Sequence, residues 1–85
     1  MTVVIFVPDI PEFLALVNAA RGVVDCLVHQ PKKGYWRVEG KHELRFSRKA
    51  LGLGPAIWNS ALSGGFVGRV VEYGRETMHI ESETT

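Results

Sequence analysis

The sequence predicts an α+β domain, with two helices packed on a mostly antiparallel sheet in the order β-α-β-β-β-α-β-β. Three observations carry that reading: two segments with apolar residues at helical spacing, period-two runs between and after them, and turn residues at the junctions. At 85 residues and 46% apolar composition the chain is expected to form one domain, residues 1–85. A chain this short can build a core but leaves little room for a deep pocket.

Taken in order, Thr2 to Val7 (TVVIFV) has the continuous β-branched pattern of a strand covered on both faces. A helix is expected over residues 9–21. Asp9 and Glu12 stand at capping-box spacing, and Pro11 fits a first turn. Ile10, Phe13, Leu14, Val17 and Ala20 then form one apolar face. Gly22 falls where a left-handed terminal residue belongs. Val23 to His29 reads as a second strand closed by Gln30-Pro31. Tyr35 to Glu39 and Glu43 to Ser47 read as a hairpin, with Val38 opposite Leu44 and Trp36 opposite Phe46 across Gly40-Lys41-His42. The second helix is expected from Pro55 to Leu62, ended by Ser63-Gly64-Gly65. Phe66 to Tyr73 and Thr77 to Glu81 close the fold as a hairpin around Gly74-Arg75, with a bulge at Gly68.

The net charge of +1 conceals an asymmetry: Lys32 to Lys49 holds seven of the ten Lys and Arg residues and only two acids. In the expected hairpin Arg37 and Arg45 lie diagonal to Glu43 and Glu39, so the centre neutralises itself. The uncompensated charge then gathers at one end, in a corner made by Lys32, Lys33, Arg48 and Lys49 beside Tyr35. Gly52-x-Gly54 precedes the second helix in the same neighbourhood, and backbone N–H groups there could add to an anion site. A plainer reading of these lysines is a solvated sheet edge that discourages pairing. Nucleic acid ranks second as a ligand, because the sequence pI of about 7.9 is low for such binders.

Other motifs are weaker. Cys26 and His29 fall on opposite faces of a strand, which argues against a shared metal ion or a thiol–imidazole pair, and no cofactor is expected. Asp25 and Glu72 are the acids expected to be semi-buried, with Arg69 as a partner for one of them. Leu51, Leu53 and Trp58 lie on the least polar connecting segment and are the expected apolar contact of a homodimer. One Cys excludes an internal disulfide, and no apolar run is long enough to cross a membrane. No signal peptide is evident, so a cytoplasmic, bacterial-type protein is expected. These features favour a small non-enzymatic binding protein for an anionic ligand or acidic partner. The alternatives are a nucleic-acid binder or an enzyme whose site at a dimer interface uses Arg69, Asp25 or Glu72.

Overall fold

The structure, a computed structural model, describes residues 2–83. Strand β1 (Val3–Pro8) buries Val3, Ile5 and Val7 on one face and Val4 on the other, as its composition predicts. A 3-10 turn at Pro11–Phe13 leads into α1 (Leu14–Arg21), which therefore begins later than the spacing suggested. The turn is preceded by Ile10 with no side-chain cap, so Asp9 and Glu12 do not form a capping box. The buried face is Phe13, Leu16, Val17 and Ala20. Ile10 and Leu14 are exposed instead, because a 3-10 turn advances residues around the axis faster than an α-helix does. Gly22 is right-handed, with φ −81°, and not the left-handed terminator expected.

Strand β2 (Cys26–Lys32) starts later than expected and continues through Pro31. Its partner is β3 (Tyr35–Gly40), joined to it by the two-residue turn Lys33-Gly34. Both turn residues have positive φ, 56° and 85°, the signature of a type I′ hairpin. On its other side β3 pairs with β1, antiparallel to both neighbours. Strands β1 and β2 therefore run parallel with β3 inserted between them, a split βαβ arrangement. Because β2 lies at the edge and its register slips between His29 and Lys32, Pro31 breaks no interior ladder.

The hairpin expected between residues 35–39 and 43–47 does not form. Strand β4 (Glu43–Ser47) belongs to another sheet, and Gly40-Lys41-His42 carries the chain across. The crossing is tied down by Lys41 N donating to Asp25 O at 3.0 Å and by Ser82 N donating to His42 O at 3.0 Å. Trp36, Val38, Leu44 and Phe46 do all face the core. The alternation fixed their faces and left their partners open. Ion pairs change accordingly: Arg37 meets Glu39 at 3.4 Å and Arg45 meets Glu43 at 2.8 Å, each within its own strand.

The second half holds two short helices, α2 (Arg48–Leu51) and α3 (Pro55–Asn59), where one helix to Leu62 was expected. Strand β5 (Phe66–Val67) pairs with β1, and then Gly68 ends that pairing. At φ 136° Gly68 lies outside the range of ordinary residues, and a Cβ there would stand 2.8 Å from Glu81 O. The chain continues as β6 (Arg69–Tyr73), which pairs with β7 (Thr77–Glu81) across the expected turn. Gly68 is thus the point where the strand changes sheets; the register slip in this hairpin falls between Val70 and Glu72.

The result is an α+β domain of two antiparallel sheets, β2-β3-β1-β5 and β4-β7-β6. Their inner faces and α1 share one apolar core around Phe13, Ile5, Trp58 and Ile80. Arg21 lies 5.3 Å from the centre of the Trp36 ring. No helix among the described residues is long and apolar enough to cross a membrane.

Candidate functional site

The outer face of the four-stranded sheet carries the most distinctive surface. Cross-strand register places Phe6, Arg37 and His29 in one row across β1, β3 and β2, and Tyr35 opposite both Pro8 and Lys32 in the next. Phe6, His29, Lys32, Tyr35 and Arg37, with Gln30, Lys33 and Gly64, line a groove of about 560 Å³. Among the described residues, none that lines it is acidic, and the side chains of Lys32, Lys33 and Tyr35 have no hydrogen-bond or ion-pair partner. Glu39 sits beside the groove, 19% exposed, with Oε1 3.3 Å from His29 Nε2 and 3.4 Å from Arg37 Nη2. It holds both side chains in place.

The groove's shape depends on a close approach. Gly65 O accepts from Phe6 N at 3.1 Å, and the chain at Gly64 lies against Tyr35. A Cβ on Gly64 would stand 2.4 Å from Phe6 O and 2.5 Å from the Tyr35 ring. At the other end Gly34 O accepts from Asp9 N at 2.9 Å, which ties the Lys33-Gly34 turn to the end of β1.

The four-cation corner does not assemble as the hairpin reading required. Lys32, Lys33 and Tyr35 share the groove, whereas Arg48 lines a separate hollow with Pro55, Trp58, Asn59, Arg75 and Glu76. There Arg48 acts as a clamp. Its guanidinium donates to Arg75 O at 2.9 Å, Leu53 O at 3.0 Å and Glu76 Oε1 at 3.0 Å. Lys49 is exposed on α2, outside the groove lining. Gly52 closes α2 in the left-handed conformation with its N–H bonded to Arg48 O and Lys49 O, so that N–H is already used. Gly54 stands before α3 in extended conformation and accepts from Trp58 N at 2.9 Å.

The apolar residues expected to be exposed are mostly covered. Trp58 is fully buried, donates from Nε1 to Gly74 O at 2.7 Å and meets Tyr73 edge-on at 5.8 Å. Leu53 is buried and Leu51 half-buried. Exposed apolar side chains include Val23, Val24 and Leu27 around the start of β2, and Phe66, Val67, Val70 and Val71 on strands that end both sheets. Asp25 and Glu72 are exposed rather than semi-buried, and Arg69 pairs with Glu81 at 2.8 Å rather than with either.

Glu43, His79 and Glu81 bring potential ligand atoms within 4.8 Å of one another on the outer face of the second sheet. Arg45 and Arg69 already engage the two carboxylates, each at 2.8 Å, so the local charge is matched without an ion. Cys26 and His29 do not converge: His29 turns to Glu39, while Cys26 packs against the core. Burial first, and the Asp25 carboxylate second, push the Cys26 thiol up, away from nucleophilic use.

Sequence reasoning missed Phe6, His29, Gln30, Arg37 and Gly64 as groove residues. The missing information was the non-local pairing of β1 with β3; a signal was available in Phe6, the one aromatic residue in TVVIFV. No protein-family model matches the chain, and no curated protein matches it in sequence.

Proposed function

We propose that this is a small binding protein, not a stand-alone enzyme, which takes an anionic ligand or the acidic surface of a partner in the groove formed by Lys32, Lys33, Tyr35 and Arg37. The observation that carries the reading is the lining itself: three cations, two aromatic rings and no acid among the described residues. Clustered charge of one sign over an apolar floor focuses the field and concentrates anions. Lys33 adds support. It adopts a left-handed conformation that Asn or Gly favours, at a cost of roughly 1 kcal/mol for other residues. The charge, and not the turn, accounts for a lysine at this place. Calorimetric titration with inorganic tripolyphosphate should give saturable binding that Lys32→Glu plus Lys33→Glu abolishes. Full binding by that double variant would sink the assignment.

The same reading includes a C2 homodimer and a cytoplasmic location. Self-association is supported by the exposed Phe66, Val67, Val70 and Val71 on the terminal strands, since exposed apolar edges invite pairing with a second copy. Light scattering should report twice the chain mass, reduced to the chain mass by Val70→Lys plus Val71→Lys. A monomer at high concentration, in low and moderate salt alike, would remove the dimer. The location rests on the single, partly buried Cys26. An active site at a dimer interface using Arg69, Asp25 or Glu72 has less support, because Arg69 is engaged by Glu81 and Asp25 lines a different hollow.

A further inference from the structure

We infer that the groove accommodates a single-stranded nucleic acid, an inference that rests on the anion-binding reading above and narrows it. Phe6 and Tyr35 occupy diagonal positions on adjacent antiparallel strands, since Phe6 faces Arg37 and Pro8 faces Tyr35. Such diagonal neighbours lie on one face about 7–8 Å apart, within reach of a common ligand. Both rings line the same groove, Tyr35 38% exposed and Phe6 half-buried. A bare anion needs the cations alone. Two rings set among cations suit a ligand that carries flat faces as well as charge, and every nucleobase offers such a face.

The remaining lining completes the division of labour. Lys32 and Lys33, at the hairpin tip and without internal partners, meet phosphate groups. Arg37 and His29, in register with Phe6 and steadied by Glu39, present donors beside the rings, and Gln30 offers an amide. In a duplex the base faces are covered by their neighbours in the stack, so the rings would have nothing to meet. Carboxylates of an acidic protein have no such faces either. A single strand is the ligand that uses the whole lining.

The test is fluorescence anisotropy with the full chain and labelled strands of about eight nucleotides, a length within the range one small domain covers. Three probes of that length are compared: oligothymidine, an abasic strand with the same phosphates, and a duplex; a polyglutamate peptide serves as competitor. Oligothymidine is expected to bind at least about tenfold more tightly than the abasic strand. Its log–log salt slope should be about −1.4, from the two lysines that meet phosphates at roughly 0.7 each. Tyr35→Leu should erase the tenfold difference, whereas Tyr35→Phe should preserve it. If the abasic strand, the duplex or polyglutamate binds as tightly as oligothymidine, the single-strand inference is overturned and the anion groove stands. If none of the four binds at low salt, both fall.

Discussion

Replacing Lys33 by Asn should raise stability and weaken anion binding in the same molecule. Lys33 holds φ 56° in a two-residue turn whose other member, Gly34, has φ 85°. The left-handed region costs an ordinary L-residue roughly 1–2 kcal/mol, and Asn tolerates it better, so the change should recover about 0.5–1 kcal/mol. For a domain of this size that is a rise of about 2–8 °C in Tm. Binding should move the other way. With one of the two phosphate-meeting lysines gone, the salt slope for a single strand falls from about −1.4 to about −0.7, and affinity near 0.1 M salt drops about fivefold. Thermal melts followed by circular dichroism and anisotropy titrations at two salt levels read the two effects independently. A lower Tm with unchanged binding would refute the reasoning, for it would mean that the lysine serves the turn.

Gly64→Ala should lower the urea midpoint with an unchanged m-value, by about 1–3 kcal/mol of stability, because the new Cβ would meet Phe6 O and the Tyr35 ring; an unaffected midpoint would show that the contact yields cheaply. Hydrogen bonds from Arg45 first, and from His79 second, hold the Glu43 carboxyl below its ordinary range. A carboxylate with a depressed folded pKa stabilises the fold above its unfolded value and loses that contribution as pH falls through the folded one. Glu43→Gln should therefore flatten the acid limb of the stability curve below about pH 4, and an unchanged limb would contradict this. The raised Cys26 thiol should alkylate more slowly at pH 8 in the folded protein than in urea, whereas equal rates would show it to be ionised as readily as in the open chain.

Much of the fold was legible because it is written in local pattern. The doubly covered run of β1, the body of α1 and the turn between β6 and β7 all follow from residues close in sequence. Pairing is a different matter. Trp36, Val38, Leu44 and Phe46 alternate inward whether they face one another or not, and a three-residue connection made a hairpin the natural inference. The chain instead crosses between sheets at Gly40, where a Cβ would stand 2.4 Å from Glu43 O. That error dispersed the predicted cationic corner. It moved Arg48 into a structural clamp and set Lys32, Lys33 and Tyr35 beside Phe6 and Arg37. The lysines could be read from charge density alone. Phe6 stood out as the one aromatic residue of its run, but its place in the groove is a property of β3 lying next to β1.

The proposal on which the rest depends is that anions bind in this groove. Amide proton–nitrogen NMR spectra recorded during titration with inorganic tripolyphosphate test it residue by residue. Saturable shifts should gather at Phe6, at residues 29–37 and at Gly64, sharing one dissociation constant. Saturable shifts centred on Lys49 to Leu53 instead, or small unsaturable shifts scattered over the surface, would contradict it.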